Sequence, residues 1–164
     1  MGKHLKTAVY PGTFDPLTNG HVSLVKRGLD IFDEIVVGVA LHSPKDPLFN
    51  LEERVKMTAR AFIDQSRVRV EPFEGLLVDY VRSQKAVAIL RGMRAVADFE
   101  YEFQMALMNR RLDRNIQTAF LMTDYKWLYI SSTLIKDVAR LGGDIKGLVP
   151  SNIEEELLKK FGRL

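Results

Sequence analysis

The chain has 164 residues, 46% hydrophobic and 27% charged, a size and balance that suit a globular domain able to bury a core. It carries a formal net charge of +3 and no cysteine, which excludes disulfides, thiolate metal ligands and a cysteine nucleophile and makes the cytoplasm the expected compartment. No apolar run reaches bilayer length, no signal-peptide core opens the chain, and the 24 basic residues form no dense stripe, so neither membrane nor nucleic-acid partners are expected.

Short β-branched runs alternate with amphipathic segments. Strands are predicted over 7–10, 34–40, 67–72, 86–90 and 117–122, and helices over 21–32, 51–64, 76–84, 98–112, 132–141 and 152–161. Asn50 with Glu53, and Ser151 with Glu154, have the spacing of a helix N-cap and its reciprocal acidic partner. Residues 35–40 and 87–90 are apolar on both faces, as strands covered by helices on both sides are. The expectation is an α/β fold: a doubly wound, Rossmann-like, five-stranded parallel sheet with helices on both faces, filling 1–164 as one domain. Such sheets bind ligands beyond the carboxyl ends of their strands, so chemistry is expected in the loops 11–20, 41–49, 91–97 and 123–131.

The first of these loops, Pro11 to Gly20 with His21 behind it, carries the strongest signal. Gly12 and Gly20 let backbone approach a ligand, and Pro11 and Pro16 stiffen the path between them. Thr13 offers a hydroxyl, and His21 opens a helix whose free N–H groups and positive dipole end favour phosphate. The second loop holds Lys45 between Pro44 and Pro47; by itself this is a solvated surface lysine. The third places Arg91 and Arg94 around Gly92 and Met93. Two guanidinium groups so close call either for a bound anion or for ion pairs with Asp98, Glu100 or Glu102. On the helix that follows, Phe99, Glu102, Phe103, Ala106 and Asn109 share one side, and Tyr101, Met105, Met108 and Leu112 form a second apolar stripe, which predicts a subunit contact. Ser131, Ser132 and Thr133 open another helix, by themselves a cap and its neighbours.

The run Thr18-Asn19-Gly20-His21 matches the (His/Thr)-x-Gly-His motif of the nucleotidylyltransferase superfamily. The longer string from Tyr10 to His21 resembles that of the phosphopantetheine adenylyltransferases, the bacterial enzymes of coenzyme A synthesis. So do Leu51-Glu52-Glu53-Arg54, the stretch from Arg91 to Glu102, and Ile130-Ser131-Ser132-Thr133 with Lys136. The resemblance covers essentially the whole chain, in order and at family spacing.

It implies adenylyl transfer from ATP to 4′-phosphopantetheine, giving 3′-dephospho-coenzyme A and pyrophosphate, with Mg²⁺ accompanying the nucleotide. His21, Lys45 and Arg91 are implied to be catalytic. ATP is implied to meet Thr13, Phe14 and His21 on one side and Gly92, Met93, Arg94 and Glu102 on another. The run Trp127, Leu128, Tyr129, Ile130, Ser131, Ser132 and Thr133 completes that set, with Trp127 either core or beside the adenine. The acceptor is implied to meet Thr13, Lys45, Leu77, Arg91 and Asn109. A homohexamer and feedback by coenzyme A belong to the same implication. The acceptor phosphate is already ionised near neutral pH, so positioning and electrostatics, without a covalent intermediate or a side-chain metal cage, are expected to supply the rate. The rivals are another acceptor (nicotinamide mononucleotide, or a polyol phosphate taking a cytidylyl group), a non-catalytic nucleotide sensor, and a basic nucleic-acid module.

Overall fold

Five parallel strands lie in the order β3-β2-β1-β4-β5 in a computed structural model that describes residues 5–43 and 46–164. The strands are β1 (Thr7–Gly12), β2 (Glu34–Ala40), β3 (Val68–Phe73), β4 (Ala88–Met93) and β5 (Gln117–Met122). The helices are α1 (Asn19–Gly28), α2 (Leu51–Ala61), α3 (Leu77–Ser83), α4 (Val96–Leu112), α5 (Ser132–Arg140) and α6 (Ser151–Lys160), with a 3-10 turn at Tyr125–Trp127. The expected α/β architecture is therefore present. Alternate strand residues feed two cores: Ala8, Val37 and Leu90 on one face with Leu24, Val25 and Ile135, and Val9, Val36 and Ile89 on the other with Val78, Val81 and Ile116.

The chain reaches the β3 edge and then crosses back to the other side of β1, so the switch in strand order falls between β1 and β4. Six residues of β1 pair with β2, whereas only Ala8 and Val9 are in register with β4. The carboxyl ends of β1 and β4 therefore part, and the crevice so formed is where an open α/β sheet accepts ligands.

Several boundaries depart from the expected ones. β1 continues through Pro11 and Gly12, because both keep their register with Gly38 and Val39 of β2. β4 begins at Ala88, leaving Val87 exposed, and runs on through Arg91, Gly92 and Met93. Those three belong to a strand, not a loop, since backbone pairing with Phe120, Leu121 and Met122 of β5 is indifferent to the charge of a side chain. The Asn50–Glu53 capping box forms as expected. The Ser151–Glu154 box does not: Pro150 is the N-cap, without a side-chain cap bond, and Ser151 is already helical.

Candidate active site

The loop after β1 folds back on its own strand. Phe14 adopts a left-handed backbone (φ 48°), which lays its ring over Gly12, where an added Cβ would come within 2.8 Å of the ring. The same ring stands edge-on to Tyr10 at 5.4 Å and to His21 at 5.3 Å between centroids. His21 is also the third residue of α1, whose N-cap is Thr18. The Thr18 backbone N–H donates to His21 Nδ1 at 2.9 Å, and the His21 N–H points back to Thr18 Oγ1 at 3.4 Å. The histidine thus takes the place usually held by Glu or Gln in a capping box. Because Nδ1 accepts, the proton of the neutral ring is on Nε2, which has no hydrogen-bond partner among the described residues. Burial, and then the positive charges of Arg94 and Arg91, push the His21 pKa down to about 4, so the ring is a neutral N–H donor at pH 7.

Two buried charges that sequence reasoning did not single out as site residues tie the loops together. Asp15 accepts the backbone N–H groups of Leu48 and Phe49 at 2.9 Å each and pairs with Lys136 Nζ at 2.5 Å. Arg54 is 1% exposed and donates to the carbonyls of Thr13, Ala40 and Phe49 at 2.8–3.0 Å. Together they fasten the segment after β2, and α5, to the loop that carries Thr13. A signal for Arg54 exists in the sequence: it shares the buried stripe of α2 with Met57 and Thr58. Asp15 has only its apolar neighbours, Phe14 and Pro16, to mark it.

From the other side of the crevice, Arg91 grips Glu102 with two donors, Nε at 2.7 Å from Oε2 and Nη2 on Oε1, while Nη1 reaches the Pro11 carbonyl at 3.1 Å. Burial works against the Arg91 charge, but the Glu102 hydrogen bonds and charge outweigh it and raise the pKa. Arg94 donates to the Ile130 carbonyl at 2.8 Å and lies 3.5 Å from Asp98. Both ion pairs anticipated as an alternative to anion binding do form. At the start of α5, Ser131 caps Leu134 N–H at 3.1 Å, and Ser132 donates to the Pro16 carbonyl at 2.8 Å.

These parts enclose a cleft of about 370 Å³. Thr13, Phe14, His21, Arg91, Gly92, Arg94 and Glu102 border it, as do Trp127, Ile130, Ser131, Ser132 and Thr133. Trp127 does so while packing against the core. Met93, Leu128 and Tyr129 are outside its walls. A second cavity, about 510 Å³, lies beneath α4; Leu77 and Asn109 line it together with apolar groups such as Phe73, Met105 and Ala106. The two share a wall made of Pro11, Gly12, Thr13, Arg91 and Glu102. Lys45 lies outside the described residues. Among the described residues, no group of three or more His, Cys, Asp or Glu is placed to hold a metal ion.

α4 roofs the second cavity. It buries Glu102 and Asn109 while leaving Phe99, Tyr101, Phe103, Met105, Leu107, Met108 and Leu112 exposed. No described helix is long and apolar enough to cross a membrane.

The family model described as cytidylyltransferase-like matches residues 9–138. The phosphopantetheine adenylyltransferase of Nitratidesulfovibrio vulgaris strain DP4 is 64% identical over 157 residues, covering 96% of this chain and 84% of that protein. The protein of the same name from Oleidesulfovibrio alaskensis is 64% identical, covering 96% and 92%. That from Syntrophus aciditrophicus is 56% identical, covering 95% and 94%.

Proposed function

The chain belongs to the phosphopantetheine adenylyltransferase family, within the cytidylyltransferase-like group, and on that premise we propose that it joins ATP to 4′-phosphopantetheine, giving 3′-dephospho-coenzyme A and pyrophosphate, by direct in-line attack. ATP occupies the first cleft, its phosphates facing the N-termini of α1 and α5. The pantetheine arm occupies the second cavity beside Leu77 and Asn109. The acceptor phosphate meets the α-phosphate at the shared wall, held by Thr13 and Arg91. The chain acts as a single nucleotidylyltransferase domain, in the cytoplasm.

One observation carries the mechanism: the Thr18 N–H on His21 Nδ1, at 2.9 Å. A histidine so bonded, with its pKa near 4, offers Nε2–H to a developing phosphoryl charge and has no lone pair there with which to act as a base. The acceptor phosphate supplies its own anionic oxygen, so no base is needed. His21 and Lys45 stabilise the charge spread over the α-phosphate as the bond to the pyrophosphate oxygen breaks. Arg94 and the α5 N-terminus, from Ser131 to Thr133, hold the phosphates that leave, and no covalent enzyme intermediate is formed.

Enzymes of this kind generally use a divalent metal, and Mg²⁺ is our assignment. The donor set fits an ion carried by the nucleotide: Asp15, Glu102 and Asp98 each face a cationic side chain, so phosphate oxygens and water would be its ligands. Bound there, it would draw charge from the phosphates. The apolar outer face of α4 supports a homohexamer with that helix in a subunit contact. Coenzyme A, which carries both halves of the product, is the expected feedback ligand.

The test is product formation. With ATP and Mg²⁺, 4′-phosphopantetheine is expected to give pyrophosphate and dephospho-coenzyme A in equal amounts, whereas nicotinamide mononucleotide gives neither. Turnover with nicotinamide mononucleotide alone would overturn the acceptor assignment.

A further inference from the structure

Tyr10 is 6% exposed, and its hydroxyl makes no hydrogen bond among the described residues. Core packing alone would be served as well by phenylalanine, since a phenol set in the protein without a partner is destabilising. The hydroxyl is nevertheless not entombed. Among the described residues only Thr58 Oγ1 is fully enclosed without a partner, so the Tyr10 hydroxyl keeps an opening, and the space Tyr10 borders is the first cleft. Its ring is held in place edge-on to Phe14 and at 6.3 Å from the His21 ring. The charged groups that act on it are Arg91, Arg94 and Glu102. Glu102 is held by Arg91 through both carboxylate oxygens and forms no hydrogen bond to the phenol, which leaves the phenol free for an acceptor that enters the cleft. Burial holds the phenol protonated far above physiological pH, leaving it an O–H donor. Tyr10 does not border the second cavity, although its chain neighbours Pro11, Gly12 and Thr13 do.

We infer that the Tyr10 hydroxyl is a substrate contact on the nucleotide side, donating a hydrogen bond to an anionic phosphate oxygen of ATP held near Arg91 and Arg94. This rests on the assignment of the first cleft to ATP. The phenol adds a neutral donor to two cations, which binds an oxyanion without adding charge that must be neutralised when the cleft is empty. The strand and loop that open the site thereby serve both substrates, with Tyr10 and His21 facing the nucleotide and Thr13 facing the acceptor.

Tyr10→Phe removes one oxygen and keeps the ring against Phe14 and His21. In steady-state assays it is expected to lower kcat/KM for ATP on the order of tenfold to a hundredfold, the range for a hydrogen bond to a charged group. The KM for 4′-phosphopantetheine should stay within about twofold, and the melting temperature should be unchanged or raised, because a hydroxyl unpartnered in the free protein is lost. Unchanged ATP kinetics, a loss confined to the acceptor KM, or a lowered melting temperature with parallel losses for both substrates would each overturn the inference. Wild-type protein runs alongside: if it fails to turn over ATP and 4′-phosphopantetheine, the functional reading fails; if it turns over and the variant matches it, only the role of Tyr10 fails.

Discussion

The two cavities that meet at Arg91 are built from opposite materials. The first is walled by strand ends and helix N-termini and carries its charges in pairs, Asp15 with Lys136, Arg91 with Glu102, Arg94 near Asp98. The second, roofed by α4, exposes more apolar than polar surface, with His42, Glu74 and Asn109 among its polar groups beside the shared Arg91–Glu102 pair. A polyanion needs fixed donors already aimed at it, because reorganising them during reaction is what a slow reaction spends its barrier on. A long, flexible, mostly neutral arm needs shape and burial, worth roughly 25 cal/mol per Å² of apolar surface removed from water. On the proposed reading, rate and acceptor choice reside on opposite sides of one wall, and substitutions should separate them.

The largest expected effect is on the first side. His21→Ala removes a donor to the transition state and should reduce kcat about a hundred- to a thousandfold, while ATP affinity by calorimetry shifts less than about threefold. Near-normal turnover would take His21 out of the mechanism. On the second side, Leu77→Glu replaces an apolar wall residue with a second carboxylate in the cavity that Glu74 already lines. The KM for 4′-phosphopantetheine should rise at least about tenfold with ATP binding intact. If ATP and acceptor suffer equally, the division between the cavities is broken. A smaller effect concerns pH and stability. Unfolded, His21 binds a proton as pH falls through its ordinary 6.5; folded, it does not until about 4. Its contribution to stability is therefore complete above pH 6.5 and is lost as pH falls from 6.5 toward 4. Denaturant titrations should show His21→Ala weakening this acid dependence; an identical pH profile would place the ring pKa elsewhere. Smallest is Thr58→Val, at a residue that lines neither cavity. Removing a fully buried hydroxyl without a partner should leave stability unchanged or raise it by about 1 kcal/mol. A marked drop in the melting temperature would reveal a partner for that oxygen.

How much of the fold and site was legible follows the range of the interactions. β-branched runs located all five strands; burial on both faces gave β2 and the start of β4 a continuous apolar signature, whereas the edge strands β3 and β5 are only partly buried. Asn50 and Glu53 announced their cap because both partners are three residues apart, whereas at Ser151 the fixed φ of Pro150 set the helix start one residue earlier. The end of β4 was misplaced because Arg91 reads as surface, while its backbone answers to Phe120, 29 positions on. His21 was legible from its glycine-rich approach, but its tautomer depends on a Thr18 bond that only coordinates reveal. Asp15 and Arg54 find partners 33 and 41 residues away, Leu48 and Thr13, and such pairings leave no local pattern. Tyr10 resembled any other residue of a buried strand until its hydroxyl proved to be without an internal partner.

Everything proposed for the reaction depends on the protonation of His21, and nitrogen-resolved NMR of the imidazole, followed against pH in the ligand-free protein, measures it. The expected spectrum at pH 7 is that of a neutral ring with its proton on Nε2, titrating only near about 4. A proton on Nδ1, or a midpoint at 6.5 or above, would contradict a neutral Nε2 donor and return His21 to the role of an acid–base group.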